Sequence, residues 1–363
     1  MINKEEINQY LKEIEVDDLV RNVQIMGNKV MIDMLSHSPA LHERKRMEAA
    51  MHEAFKQKFG DEAELKLNLI VETQEKPKIK GNAVPNIKNI IAIASGKGGV
   101  GKSTIASNIA ITLTQMGFKV GVLDADIYGP SIPTMFDVVS SKPSSVHIDD
   151  KDLMLPVESY GVKLLSIGFF AGANQAVVWR GAMASKAIHQ LIHDAHWGEL
   201  DFLILDLPPG TGDIHLSIVQ EVPVTGAIIV STPQQIALAD VKKGVGMFQM
   251  PEINVPVLGL IENMSYFTPK ELPENKYYIF GKKGARRLAE TLEIPFLGEV
   301  PIIQSIREAS DFGRPAVMQE DKVVFDIYSN ICKNMIENLV KRNKDLPPTE
   351  IVRITTMAGC STK

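Results

Sequence analysis

The sequence predicts an α/β fold, a mostly parallel sheet with helices on both faces, preceded by a small α+β domain. Three observations predict it. From Lys88 onward, apolar runs alternate with helical segments: "NIIAIAS", "KVGVLD", "DFLILD", "GAIIVS", "PVLGLIEN" and "IPFLGEV". Near-continuous apolar strands of this kind belong to parallel sheets covered on both faces. The first of these runs leads directly into the glycine-rich "SGKGGVGKST" and then a helical stretch. Finally, the first 72 residues carry their own helix and strand pattern, set apart by a stretch rich in proline and charge.

Taken in order, "NKEEINQYLKEI" is an amphipathic helix with Ile7, Leu11 and Ile14 on one face. "LVRNVQIMGNKVMIDML" reads as two strands around a Gly27-Asn28 turn. Ser38-Pro39 supplies a cap and a first-turn proline for a helix ending at Gly60, along which Met47, Met51, Ala54 and Phe55 keep helical spacing. "LKLNLIVE" alternates Leu65, Leu67, Leu69 and Val71 inward, as a half-buried strand does. The organisation expected is therefore a small domain over 1–72, a linker over 73–87, the main domain over 88–342 and a tail over 343–363. A helix "VVFDIYSNICKNMIENLVKRN" closes the main domain, with Phe325, Tyr328, Cys332, Met335 and Leu339 as its inward face.

The glycine-rich turn carries the chemistry. Gly96, four residues, then Gly101-Lys102-Ser103 is the full P-loop pattern. In a P-loop NTPase the glycines let backbone amides curl inward at phosphate oxygens, and a helix opening at Lys102 aims its positive end at the same anion. Gly96, Lys97, Gly98, Gly99, Val100, Gly101, Lys102, Ser103 and Thr104 are thus the expected ATP-binding residues. Lys102 reaches the β- and γ-phosphates, and Ser103 is placed to ligate Mg2+. "KVGVLDADIYGPS" puts Asp124 and Asp126 at a strand's carboxyl end, where ligands of such sheets sit. Two carboxylates there can hold the magnesium shell and orient a water for in-line attack. Asp206 ends "FLILD" as the second acid of the motif pair, and the following "LPPGTGD" suits a nucleotide-sensing switch. His189, His193 and His196 share a helical spacing, but without a companion motif they read as a polar helix face rather than metal ligands.

Lys97 is an addition that an ordinary P-loop does not need. "KGGVGKST" resembles the deviant P-loop of the family that includes MinD, ParA and the nitrogenase iron protein. The resemblance implies that Lys97 crosses a dimer interface to the partner's nucleotide; a solvated loop lysine is the plainer alternative. "DADIYGPSIP", "WRGAMASKAI", "DLPPGTGD" and "ENMSYF" followed by "IFG" narrow the match. Over 88–342 the chain resembles the Mrp/ApbC family of iron-sulfur cluster carrier ATPases. By that resemblance Asp126 positions the attacking water, Asp124 belongs to the metal shell, and Asn263 reads adenine, although Asn is also a common cap. Residues 1–72 resemble the small iron-sulfur-assembly domain often fused in front, without its usual acidic-proline opening.

The chain departs from that family at one place. A CxxC pair normally follows "MSYF" and, with its counterpart in a second protomer, holds a bridging cluster. Here the stretch is "MSYFTPKELPENKYYIFG", with no cysteine. Only Cys332 and Cys360 exist. Cys332 reads as a core thiol, so a 4Fe-4S cluster would rest on Cys360 from each protomer, with ligands supplied from outside. A net charge of −5 argues against nucleic acid, and the charged first residues and lack of a long apolar run against a leader or membrane span. The expected function is an ATP-hydrolysing iron-sulfur cluster carrier, cytoplasmic and homodimeric, serving apoproteins. A MinD/ParA-like positioning ATPase and a cluster-free regulatory ATPase are the rivals.

Overall fold

In the computed structural model, placement is described for residues 4–346 except 15, 27, 37–40, 61–63, 72–83, 85, 128, 149, 171–180, 213–214, 217, 220–221 and 252. The chain divides into two compact units, one built essentially from residues 1–77 and the other from residues 78–363.

In the first unit, helix α1 (Lys4–Glu13), strands β1 (Val20–Met26) and β2 (Lys29–Ser36), helix α2 (Leu41–Phe59) and strand β3 (Glu64–Val71) follow one another. The sheet runs β1-β2-β3, with β1 antiparallel to β2 and β2 parallel to β3. Ile7, Leu11, Val30, Ile32, Met34, Met51 and Phe55 form its core. The Met-containing stripe of α2 is therefore packing surface. Gly27 and the Ser38-Pro39 cap lie outside the described residues.

In the second unit the apolar runs become β4 (Ile87–Ser95), β5 (Val120–Asp124), β10 (Leu200–Pro209), β11 (Gly226–Ser231), β12 (Val257–Phe267) and β13 (Phe296–Ile302). Between them lie α3 (Lys102–Gln115), α4 (Ile132–Met135), β6 (Ser144–Ile148), β7 (Lys151–Leu155), β8 (Val157–Ser159), β9 (Val162–Ser166) and α5 (Gly181–His193). Helices α6 (Gln235–Gln249), α7 (Gly284–Thr291), α8 (Gln304–Asp311) and α9 (Lys322–Asp345) complete it. The eight-stranded sheet has the order β13-β12-β11-β4-β10-β5-β9-β8, and every neighbour pair is parallel except β8 with β9. β4 and β10 sit centrally, flanked by β5 and β11, and are buried almost throughout, which is why their sequences are apolar without alternation.

Residues 144–166 hold four strands that the apolar runs did not announce. β6 and β7 form an antiparallel hairpin with no fully buried position, although Met154 packs partly against the core, so neither strand needs a strict apolar alternation. The inward face of α9 also begins one residue earlier than its spacing suggested. Val324, Tyr328, Cys332, Met335 and Leu339 are buried, whereas Phe325 is exposed. His189 and His193 stack their rings 4.2 Å apart on α5, and among the described residues no group of three or more His, Cys, Asp or Glu is placed to hold a metal ion.

Candidate nucleotide site

The parallel sheet brings its functional groups to one edge by register alone. Asp124 ends β5 directly opposite Asp206 on β10, and Ser166 ends β9 opposite Asp124. The P-loop leaves β4 immediately after Ser95 on the far side of β10. Gly99 (φ 79°) and Gly101 (φ 81°) hold left-handed backbone, which admits glycine with little strain. At Gly101 a Cβ would also run into the side-chain amide of Asn263, and at Gly96 into the backbone of Asp240 on α6. The motif's glycines thus serve both the curl of the loop and its close packing.

Lys102 opens α3 and is buried. Its Nζ lies 2.6 Å from Asp206 Oδ1, 3.2 Å from Ser103 Oγ and 3.8 Å from Asp126 Oδ2. Asp206 is fully buried, and burial raises its carboxyl above the usual range while Lys102 pulls it back. Its second oxygen, Oδ2, has no hydrogen-bond partner. Asp124 is equally buried but fully engaged. Oδ1 accepts from the Asp126 amide at 3.2 Å, and Oδ2 accepts from the Ile132 amide at 3.2 Å and the Ser166 hydroxyl at 2.9 Å. Burial and the neighbouring Asp206 charge push its pKa up to about 7.

A cleft of about 200 Å³ opens above these groups, lined by Gly98 to Thr104, Asp126, Ser131, Met135 and Pro209. Lys102, Ser103 and Asp126 therefore face one space, while Asp206 backs it through Lys102. Asp124 reaches it only through the Asp126 backbone. Asn263 ends near the loop from the other side, its Nδ2 donating to the Val100 carbonyl at 2.8 Å. Lys97 is exposed. Cys360 lies outside the described residues, and Cys332 is buried, with burial holding its thiol far above the ordinary range. Ser166 and Ser131 escaped sequence reasoning because a serine beside an apolar run carries no signal of its own. Chemically, the arrangement offers curled amides, one cation and a carboxylate to a phosphate chain, with an unmet carboxylate oxygen behind them.

This fold and this site define a P-loop NTPase. The family described as "ParA: NUBPL iron-transfer P-loop NTPase" matches residues 86–336, and the chain belongs to it. An iron-sulfur cluster carrier protein of Aquifex aeolicus is 48% identical over 262 residues, covering 71% of this chain and 70% of the relative. The iron-sulfur cluster carrier protein of Synechocystis is 41% identical over 304 residues, covering 84% and 85%. Among solved structures, a nucleotide-binding protein from Archaeoglobus fulgidus in complex with ADP is 37% identical with a TM-score of 0.57, covering 67% of this chain and 93% of that one.

Two outcomes test this geometry. Removing one member of a buried ion pair typically costs about 3–5 kcal/mol, because the partner's charge stays buried. Lys102→Ala should therefore lower the stability of the ligand-free protein in urea by a few kcal/mol near neutral pH, and abolish ATP binding in calorimetry. Retained stability together with magnesium-dependent ATP binding contradicts the placement. For Asp124, the folded pKa of about 7 lies above the unfolded value of about 3.9. The folded chain then holds a proton that the unfolded chain releases, so stability falls as pH rises between those values. The Tm of the ligand-free protein should drop between about pH 4 and pH 7, and Asp124→Asn should flatten that slope. An equal slope in both proteins removes Asp124 as its source.

Proposed function

We propose that the chain binds ATP with magnesium at this cleft, hydrolyses it as a homodimer, and uses the cycle to carry iron-sulfur clusters to apoproteins in the cytoplasm. The observation that supports it most is the position of Lys102, held by Asp206 and Asp126 at the floor of a loop shaped for phosphates. The names of the relatives supply the cargo, and the ADP bound to the Archaeoglobus protein supports the nucleotide.

In this reading the amides of Gly98 to Thr104 cradle the β- and γ-phosphates, and Lys102 turns from Asp206 toward them. Asp126 orients a water that attacks the γ-phosphorus; the bond to the β-phosphate oxygen breaks, leaving ADP and phosphate. The unpartnered Oδ2 of Asp206 and the hydroxyl of Ser103 suit a magnesium shell. An ion held there would neutralise phosphate charge during the transfer. Asp124 acts one step removed, by fixing the Asp126 amide and the start of α4. Asn263 holds the loop through Val100 and offers its carbonyl oxygen to the adenine. Lys97, exposed on the loop, reaches the nucleotide of the second protomer. If so, Asp126→Ala binds ATP but turns it over slowly, whereas Lys97→Ala loses nucleotide-dependent dimerisation in light scattering and keeps its fold. Wild-type turnover by the first variant, or an unaltered dimer in the second, removes that residue from its role.

One observation favours a second reading, a cluster-free regulatory ATPase. The stretch 268–283 after β12 contains no cysteine, and Cys332 is sealed in the core between α9 and the Ile109 carbonyl. A thiolate is the ligating species, and burial keeps Cys332 protonated. Cluster cargo then falls to Cys360, one thiolate per protomer, completed by recipient or exogenous ligands. Such a cluster is incompletely held and readily passed on. A positioning ATPase has less support: no described helix is long and apolar enough to cross a membrane, and α9 turns its apolar face inward. Anaerobic reconstitution with iron and sulfide decides the cargo question. Wild type and Cys332→Ser should bind iron and show visible absorbance, and Cys360→Ser should lose both. A full cluster signal in Cys360→Ser sinks the tail assignment, and no signal in wild type supports the regulatory reading.

A further inference from the structure

Among the described residues, His215 is the buried titratable group near the cleft that the nucleotide chemistry above leaves unused. It follows the "LPPGTGD" segment leaving β10, and only 1% of it is exposed, although Thr211 and Gly212 just before it are open to solvent. Neither ring nitrogen has a hydrogen-bond partner. A histidine kept for packing alone normally has its nitrogens satisfied, because each buried unmet polar group costs about 1–3 kcal/mol. His215 is the one side chain among the described residues that leaves two buried polar atoms without a partner.

The surroundings indicate what the other arrangement is. The carbonyls of Pro208 and Gly212 are close enough to act on the ring as acceptors, the second already accepting from the His215 backbone amide at 3.0 Å, and burial outweighs them to hold the imidazole's pKa below its ordinary value. A neutral imidazole has a single N–H, so it can donate to one of these carbonyls at a time. Lys102 and Asp126 are also near enough to act on the ring, in opposite directions. The segment between the two carbonyls is coupled to the loop as well. Pro209 lines the cleft, and the Gly210 amide donates to the Ser95 carbonyl at 2.9 Å, at the base of the P-loop. A phosphate chain that drew Lys102 away from Asp206 would change the charge acting on the ring, in a cleft that Pro209 lines.

We propose that His215 is a positioning residue that latches the Pro208–Gly212 segment, its single N–H donating to the Pro208 or the Gly212 carbonyl according to whether the phosphate cleft is filled. The ring touches no phosphate. It converts occupancy of the cleft into one of two backbone arrangements after β10, and so governs turnover without contributing to the affinity of the cleft itself. This inference rests on the ATP-hydrolysing reading of the site.

His215→Leu tests it, because leucine fills the buried space and removes both polar atoms. A merely structural ring predicts a variant at least as stable as wild type with unchanged turnover. The latch predicts the same stability and an ATP Kd within about threefold, but a kcat reduced at least about tenfold. It also predicts loss of the ATP-analogue-induced hydrogen-exchange protection over 207–216. His215→Gln, with one donor end and one acceptor end, should recover part of both. Wild-type kcat and protection in His215→Leu overturn the latch. So does wild-type protein that shows no analogue-induced change over 207–216, a measurement that stands even where the leucine variant fails to fold. Failure of wild type to bind or hydrolyse ATP at all is a different result: it overturns the reading of the site and the latch with it.

Discussion

The ion pair between Lys102 and Asp206 is the contact on which the rest of the site depends. Both side chains are almost fully buried and 2.6 Å apart. A lone charge at either position would carry a desolvation penalty of several kcal/mol. Their pairing sets the two strands' ends, β4 through the P-loop and β10 directly, at a fixed spacing, and it keeps a cation beside a second buried acid, Asp124. Yet the pair is incomplete. Asp206 has an oxygen with no partner, and Lys102 is also within reach of Asp126 at the cleft. A buried cation shared among carboxylates, next to a ring of inward-curling amides, is an arrangement that an incoming polyphosphate can take over. The protein's own acids stand in for the anion until it comes.

Parallel pairing explains why so much chemistry gathers in so little space. In an open parallel sheet every strand ends on the same side, so the last residue of each run is brought beside the last residue of its neighbours. Ser166, Asp124 and Asp206 are in matched register across three strands, and Glu262 holds a comparable place on the other half, where it accepts from the Ala285 amide at the start of α7 at 2.6 Å. Two carboxylates opposite one another in a dry interior repel, and burial raises both of their pKa values. The hydroxyl of Ser166 and the amides of Asp126 and Ile132 offset that cost for Asp124, which is why it is the more fully bonded of the two.

The strands and the loop were readable because their physics is local. An apolar run without alternation means burial on both faces, and glycines at fixed offsets around Lys102 mean a curled backbone, so β4, α3, β5, β10, β11, β12 and β13 were each expected where they occur. The β6–β7 hairpin was not, since no position in it is fully buried and no apolar period records its pairing. Phe325 misled for a related reason: a large apolar residue at nearly the right spacing looks inward, but helix phase is set by the neighbours it packs on, and those meet Val324. Within the site, Lys102, Asp126 and Asp206 could be placed together from strand ends alone. The indirect position of Asp124 and the two empty nitrogens of His215 depend on three-dimensional partners, which residue spacing does not encode.

The same distinction governs the cysteines. Cys332 and Cys360 are equivalent in a count of thiols, but the helix phase that buries Tyr328 and Met335 also buries Cys332 between them, and a thiol kept protonated in an apolar interior neither ligates iron nor exchanges it. Cys332 is therefore no ligand for a cluster, whereas the nucleotide cleft is built on the carboxyl edge of the sheet. Coupling the two requires an element that moves when the phosphates change and that is tied to both the loop and the solvent-facing surface. Among the described residues the stretch leaving β10 has the ties such an element needs: the Gly210 amide donates to Ser95, Pro209 faces the cleft, Thr211 and Gly212 reach solvent, and the His215 ring behind them has no hydrogen-bond partner.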